Sequence, residues 1–366
     1  MQSVVVELAG LFAQAAVDGT QWLMALQALA DATRSTRAQL VGFGEDNMSW
    51  FNWVTNGHPP EAVAAFERSL GTDPRGNTRR RVSLGVPLFT LRSEDDYRAV
   101  PDDAFSRRYR ELCHAAEMLH GCQTTLSQTA DGQVGLALLR SDSDGVSSGE
   151  QRALFMAVAP HVRNAVVLQR AIESQGRMLL AGALEEMSAT AFICGPDARV
   201  RAMTRSAEQL CAAGRFVLQQ GVLHASTLKE TRRLHQAIAR QAEPLPAPAT
   251  LIVALSDQRA PLIVDISVLP ALPWRLERGS DILVAVRGGR RWHKSAPAVL
   301  ESFYKLSPAE ADVAMRVARG MSRDEVAAAR GTSVGTVKAQ LKSIFAKLDV
   351  SREAELIVLL NDHLSI

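Results

Sequence analysis

The chain has 366 residues, too many for one ordinary domain and suited to two or three. Hydrophobic residues make up 47% and charged residues 22%, which excludes a disordered or fibrous chain, and no run approaches the roughly 20 apolar residues of a membrane helix. The formal charge of +2 neither requires nor forbids a nucleic-acid partner, because a local patch matters more than the sum.

The N-terminal stretch MQSVVVELAGLFAQAAVDGT has no basic start and carries Glu7 within it, so no secretory signal is expected. Cys113, Cys122, Cys194 and Cys211 show no paired spacing, as expected of free thiols in a cytoplasmic protein. Leu8, Leu11, Phe12 and Ala15, then Trp22, Leu26 and Leu29, predict two short helices in the first 35 residues. Strands follow at 38–44 and 49–55 about the turn Gly44-Glu45-Asp46-Asn47, then helices over 60–70 and 101–118. Two more strands, 123–129 and 133–140, flank the hairpin signal Asp131-Gly132. This order predicts an antiparallel α+β domain.

A long helical segment occupies 148–187, with Ser147 and Glu150 spaced for a capping box and Pro160 placed to kink or split it. Leu154, Val158, Val162, Ala165, Leu168 and Ile172 form its apolar stripe. Two readings fit: a helix packed on its own domain, or one that pairs two subunits. Residues 188–288 repeat the α+β grammar. A hairpin about Gly195-Pro196-Asp197 precedes a helix at 205–213, strands within 215–225, a helix at 228–241, and strands at 249–255, 262–269 and 281–286. The Pro-rich stretches 244–249 and 269–274 read as surface loops.

The last segment is the most informative. In LSPAEADVAMRVARG, Ser307 caps, Pro308 takes the first helical position, Glu310 closes a capping box and Gly320 ends the helix. SRDEVAAARG repeats this with Ser322, Glu325 and Gly331, and Ser333 caps a third helix, VGTVKAQLKSIFAKL. A fourth begins near Ser351. Four short capped helices with a tight turn between the second and third predict a helix-turn-helix. On the third, Val334, Val337, Leu341, Ile344, Phe345 and Leu348 share an arc of about 100°. Gly335, Ala339, Ser343 and Ala346 lie opposite, and such small residues let a helix approach a major groove. Lys338 and Lys342 flank that small face on one side, Gln340 and Lys347 on the other. Residues 330–348 carry four basic side chains and no acidic one, which suits a DNA-facing helix.

LSPAE (306–310), SRDEVA (322–327), GTS (331–333), GTVKAQL (335–341) and IFAKLDVSREAEL (344–356) resemble the LuxR-type (GerE-like) DNA-binding domain. The resemblance implies that Lys338, Ala339 and Lys342 face bases, while Thr336, Gln340 and Lys347 meet the phosphate backbone. Arg330 and Thr332 stand where the family usually buries aliphatic side chains, and Asp349 replaces its usual glycine. The expected resolution at Arg330 is a stem laid over the core with its guanidinium in water or near phosphate.

Upstream, Asp73-Pro74-Arg75, FSRRYREL (105–112), VGLALLR (134–140) and the run from Ser147 resemble the sensor half of tandem GAF-like/PAS-like LuxR-type regulators. The 188–288 order is similar to a PAS domain. The carboxylate cluster of a phospho-acceptor receiver is missing, which disfavours phosphorylation as input. Phe66 followed by Asp73-Pro74 resembles acyl-homoserine lactone sensors, but the tryptophan and tyrosine that would hold the lactone are replaced, so that ligand is disfavoured. Trp50, Phe51 and Trp53 fit either another apolar pocket or plain core.

The spacing of Cys113, His114, His120 and Cys122 matches no usual zinc pattern, and packing is the plainer reading. GRFVLQQ (214–220) echoes a flavin motif without its reactive cysteine, and His224 and His235 read as structural or exposed. Arg79-Arg80-Arg81 and RGGRRWHK (287–294) read as solvated basic surface, the latter also as auxiliary phosphate contacts. No G-x-S-x-G elbow, P-loop or dinucleotide fingerprint occurs, so no catalytic residue, metal or cofactor is expected.

The expected architecture is thus α+β sensor domains, GAF-like then PAS-like, followed by an all-α four-helix LuxR-type helix-turn-helix. Its parts are a sensor at 1–170, a PAS-like domain with its preceding helix at 171–290, a basic linker at 291–299 and the DNA-binding domain at 300–366. The expected function is a one-component, homodimeric transcriptional regulator that binds double-stranded promoter DNA and takes a small-molecule signal, away from membranes. The competing reading is a protein-binding module whose helix-turn-helix dimerises or docks.

Overall fold

A computed structural model describes residues 1–44, 49–58, 61, 65, 76–129, 132–253, 262–270, 274–287, 296–318 and 320–364, with side chains as far as Leu360. The helix expected at 60–70, Phe66, Asp73-Pro74-Arg75, Glu45 to Asn47, Asp131 and linker residues 288–294 lie outside this set, apart from isolated backbone positions. The chain divides into two compact units, Met1–Gly176 with Pro270–Ser280, and Arg177–Leu269 with Asp281–Ile366.

The first unit opens with helices α1 (Gln2–Val17) and α2 (Trp22–Ala32), joined by a 3-10 turn at Gly19–Gln21. Strands β1 (Arg37–Phe43), β2 (Ser49–Val54), β3 (Gln123–Thr129) and β4 (Gly132–Leu139) form an antiparallel sheet in the order β2-β1-β4-β3. Alternation along the strands sorts the side chains to two faces. One face sends Ala38, Leu40, Trp53, Leu126 and Leu136 into a core with Phe12, Trp22, Leu26 and Leu29. The other packs Ala137 and Leu139 against Tyr109 and Cys113 of a helix at Ala104–Ala115. Short helices at Thr78–Arg81 and Glu94–Arg98 complete the unit. The strand and hairpin expectations therefore hold to within a residue or two.

Four expectations are corrected here. Arg79 and Arg80 are buried rather than solvated. The Arg79 guanidinium donates to the carbonyls of Met118 and His120 at 3.0 and 2.7 Å and lies 4.7 Å over the Tyr97 ring, while that of Arg80 lies 4.4 Å over Phe43. Delocalised charge over an aromatic face tolerates burial in a way that an ammonium does not. Secondly, the long helix α3 (Gly149–Glu186) is capped one residue later than its spacing suggested. Ser148 and Gln151 exchange the capping bonds at 2.8 and 3.2 Å. Ser147 instead gives its N–H and hydroxyl to the buried carboxylate of Glu94, at 2.7 and 3.0 Å. Burial pushes the Glu94 pKa up, but hydrogen bonds from Ser147 and Gly121 outweigh it and hold the group below the usual range. Thirdly, of the kink or split expected at Pro160, the split does not occur, and α3 runs through it as one helix. Phe155, Val158, Val162 and Val166 are buried on both sides of it, and this packing offsets the local cost of roughly 3 kcal/mol.

The fourth concerns the end of the 269–274 loop. Pro270 is exposed as expected, but Trp274 is half-buried and lies 5.5 Å from Trp53 in an edge-on contact, and Leu276 just beyond the loop is fully buried. The Trp50 indole donates to the Leu276 carbonyl at 3.1 Å, and the Leu276 amide donates to Glu173 at 3.0 Å. Trp50, Phe51 and Trp53 accordingly belong to the core. On the opposite sheet face, Gln39, Phe43, Arg80, Gln123, Thr125 and Gln133 help to line a small, open cleft.

The second unit contains a five-stranded antiparallel sheet. In chain order its strands are β5 (Thr190–Cys194), β6 (Val200–Met203), β9 (Ala249–Val253), β10 (Leu262–Val268) and β11 (Ile282–Arg287), paired β6-β5-β11-β10-β9. A hairpin of β7 (Phe216–Gln219) and β8 (Val222–Ala225) and helices at Arg205–Ala212 and Leu228–Arg240 lie between β6 and β9 in sequence. Phe192, Phe216, Leu234, Ile238, Val264 and Val284 form the core. Each element falls where the sequence placed it, because each apolar run is short and bounded by a turn signal. The C-terminal part is all α and has its own core, including Val313, Val326, Val337, Leu341, Ile344 and Leu356.

Candidate nucleic-acid interface

After a short helix at Ala296–Ser302, four helices build the C-terminal domain: α4 (Pro308–Ala318), α5 (Arg323–Arg330), α6 (Val334–Leu348) and α7 (Glu353–Leu364). Their caps are those the sequence called for. The Ser307 amide donates to Glu310 at 2.7 Å and the Glu310 amide to Ser307 Oγ at 3.3 Å. Ser322 and Glu325 repeat the exchange at 2.8 and 3.3 Å. Gly331 adopts φ 62, ψ 34, the left-handed conformation that glycine takes without steric cost. The chain then turns, and Ser333 Oγ accepts the Thr336 amide at 3.1 Å to start α6.

Helix α6 buries Val337, Leu341, Ile344 and Leu348, as its periodicity predicted. Gly335, Ala339 and Ala346 are exposed on the opposite side. Two flanks separate these faces, and they are not alike. On the first, Lys338 and Lys342 are exposed, one turn apart, and make no hydrogen bond or ion pair with the described residues. On the second, three of four polar side chains are held by other helices. Lys347 Nζ lies 2.7 Å from Glu310 Oε2, and Ser343 Oγ donates to Glu310 Oε1 at 2.6 Å. Gln340 Oε1 accepts from Arg330 Nη1 at 2.6 Å. Thr336 is exposed, its hydroxyl 2.9 Å from Ser333 Oγ.

Ser343 therefore does not belong to the small exposed face; it is half-buried against α4. Burial alone would push the Glu310 pKa up, but hydrogen bonds from Lys347, Ser343 and Ser307 outweigh it and hold the carboxyl down at about 2. Arg330 corrects the expectation as well. Its guanidinium is taken up by neighbouring helices, with Nη1 donating to Gln340 Oε1 at 2.6 Å. The side chain is 15% exposed, with Nε 3.0 Å from Asp312 Oδ2. Asp349 takes φ 54, ψ 44 at the end of α6, the left-handed cap that glycine fills in the family.

Sequence reading missed Asp312 and the second role of Glu310. Both act on residues 18 positions or more along the chain, and no local spacing announces such a pair. The Cys113–Cys122 region resolves into packing: burial pushes the two thiols up to about 11 and about 12. His114 and His120 turn to Asp142, at 3.0 and 3.3 Å. Among the described residues no group of three His, Cys, Asp or Glu is placed to hold a metal ion, and no helix is long and apolar enough to cross a membrane.

Two solved structures similar to this chain are the phage VqmA–DPO complex and the E. coli DhaR(N)–DhaL complex. The first is 13% identical over 51% of this chain and 90% of that one, with a TM-score of 0.21. The second is 14% identical over 78% of this chain and 89% of that one, with a TM-score of 0.24. No curated protein matches the chain. Residues 304–360 match the family described as bacterial regulatory proteins, luxR family (GerE). The match spans α4, α5, α6 and most of α7, and the C-terminal segment is a LuxR-family helix-turn-helix domain.

Proposed function

We propose that the chain is a one-component transcriptional regulator in which upstream α+β sensor domains govern promoter binding by the C-terminal helix-turn-helix. The observation that carries this reading is α6. It presents Gly335, Ala339 and Ala346 to the outside, with Lys338 and Lys342, exposed and unpaired among the described residues, beside them. Small residues allow close approach to a major groove, and a lysine can donate to guanine O6 and N7. Lys338, Ala339 and Lys342 then face bases. Thr336 and Gln340 meet the backbone, and Lys347 contributes there only so far as Glu310 shares it. Measuring binding of the full chain to duplex DNA across a salt series tests the reading, since released counterions make affinity fall as salt rises. Binding of protein but not of DNA would favour the docking alternative.

One recognition helix reads too few base pairs for useful specificity, so the functional form is a homodimer on a roughly two-fold symmetric site. Helix α3 supplies a face for it: Val167, Leu168, Ile172, Met178 and Leu179 are exposed on it, and apolar residues in such a series favour helix pairing. Sedimentation at micromolar concentration should show a dimer, and a strict monomer with and without DNA would remove this part of the proposal. The polar cleft beside Arg80 and Gln123 is where a small-molecule signal would act. Domain limits of 1–170, 171–290, 291–299 and 300–366 are the working division, and the reading assigns no catalytic step.

A further inference from the structure

A guanidinium has donors and no acceptor. The atom of Gln340 that faces Arg330 Nη1 at 2.6 Å is therefore its carbonyl oxygen. Among the described residues neither N–H bond of Gln340 Nε2 has a partner, which leaves both for something else. Arg330 is itself held from behind, with Nε 3.0 Å from Asp312 Oδ2. Asp312 is steadied in turn by Arg316, whose Nε lies 2.8 and 3.0 Å from its two oxygens. The chain of contacts runs from α4 through the last residue of α5 to α6. At its end Gln340 lies half-buried on the same flank as Thr336.

We propose that Arg330 is a positioning residue for DNA binding: it clamps Gln340 Oε1 so that Nε2 is presented as a donor to a backbone phosphate oxygen. This rests on the DNA-binding reading above and deepens it. A free glutamine can pair with adenine by accepting at Oε1 and donating at Nε2 together. At Gln340 the Arg330 guanidinium takes one of the two lone pairs of Oε1 and fixes the direction of the amide, which disfavours that paired geometry. Gln340 adds affinity and register without sequence preference, as phosphate contacts do. The aliphatic residue usual at position 330 has no means of imposing this orientation, so the departure from the family pattern becomes intelligible as a device of this chain.

The test uses the full chain and a mixed-sequence duplex, since a phosphate contact needs no particular operator. Arg330→Met keeps the apolar stem and removes every donor, Gln340→Ala removes the amide, and a double variant combines them. Arg330→Lys restores one donor. Thermal unfolding of each variant checks that the fold is retained. Each single variant should weaken binding about two- to tenfold, the range for one neutral hydrogen bond. The double variant should be no weaker than Gln340→Ala alone, and Arg330→Lys should recover part of the loss. Because glutamine is neutral, the salt dependence should stay unchanged throughout. A salt slope reduced by about one in Arg330→Met would make Arg330 itself the phosphate contact and overturn the proposal. Additive losses, or an Arg330→Met chain that binds like the parent, would also overturn it. A parent chain that shows no salt-dependent DNA binding would remove the DNA-binding reading and this inference together, an outcome distinct from a parent that binds and variants that do not couple. Should Arg330→Met fail to fold, Arg330→Lys and Gln340→Ala supply the comparison, and a Lys variant that binds as weakly as Gln340→Ala with a lower salt slope would overturn the proposal.

Discussion

The two flanks of α6 carry similar residue types and live in different chemical worlds. Lys338 and Lys342 are exposed and make no hydrogen bond or ion pair with the described residues, whereas Lys347 is matched by Glu310 at 2.7 Å and Gln340 by Arg330 at 2.6 Å. Counting basic residues between 330 and 348 gives four. Counting cations with no ion-pair partner among the described residues leaves two, since Arg330 faces Asp312 and Lys347 faces Glu310. The field that steers DNA belongs to unmatched charge, because a paired cation must first give up its partner. One flank is thus free to read, and the other holds α6 against α4 and α5.

The sharpest way to break this comparison is on the free flank. Lys338→Ala and Lys342→Ala should each cost roughly 1–3 kcal/mol on the operator and relax preference at one base position. Titration against single-base variants over a salt series measures both effects. If both variants bind every sequence as well as the parent, α6 does not read DNA and the flanks are equivalent.

The next effect is on the held flank and should appear in stability rather than binding. Glu310→Ala removes half of a capping box and leaves Lys347 and Ser343 without their acceptor. Loss of a cap costs about 1 kcal/mol, and unmet donors add to it, so denaturant unfolding of the full chain should show a lower midpoint for the C-terminal transition. Lys347→Ala should share part of that loss and lower the salt slope of DNA binding by well under one. A slope lower by about one would instead mark Lys347 as a phosphate contact.

Acid should act on the same flank. The Glu310 carboxyl sits at about 2, below its ordinary value of 4.5. A depressed folded-state pKa means that the ionised form stabilises the fold. That contribution is complete above about 4.5 and is lost as pH falls from there towards about 2. Unfolding midpoints measured from pH 6 down to about 2.5 should fall more steeply for the parent than for Glu310→Gln, which has no such proton to take up. Equal slopes would show that the Lys347–Glu310 contact contributes nothing to stability.

Much of this was legible in the sequence, and the division between legible and illegible has a physical basis. Caps, turns and apolar periods are local, so Ser307, Ser322, Gly331, Ser333 and the buried stripe of α6 could be placed from spacing alone. The strands of both sheets were found for the same reason. What escaped was long-range. Nothing near position 147 announces that Ser147 would be drawn away to Glu94, a residue 53 positions earlier. Arg330 showed itself as a departure, but its partners Asp312 and Gln340 are fixed only once three helices pack. Trp274 read as surface loop because prolines precede it, and its partial burial depends on a surface that the local sequence does not contain. The candidate site divides in the same way: the free flank needed only a helical wheel, and the held flank needed the fold.

The smallest effect predicted concerns the end of α6, where stability and DNA reading can be separated cleanly. Asp349 stands in the left-handed region at φ 54, ψ 44 and is exposed. Its amide donates to the Phe345 carbonyl, so the backbone geometry matters to the cap while the side chain accepts no hydrogen bond from the described residues. A left-handed conformation costs most L-residues roughly 1–2 kcal/mol, less for aspartate, and glycine none. Asp349 also places a negative charge at the helix C-terminus, where the macrodipole disfavours it by a few tenths of a kcal/mol. Glycine gives back part of this gain through the greater freedom of its unfolded chain. The balance favours Asp349→Gly by roughly 0.5 kcal/mol, seen as a raised unfolding midpoint. Because neither flank of α6 changes, affinity for the operator and the preference at each base position should stay as in the parent. A variant that gains stability and loses sequence preference would mean that Asp349 helps to set the angle of α6 in the groove, and the two flanks could then no longer be treated as independent of the helix end.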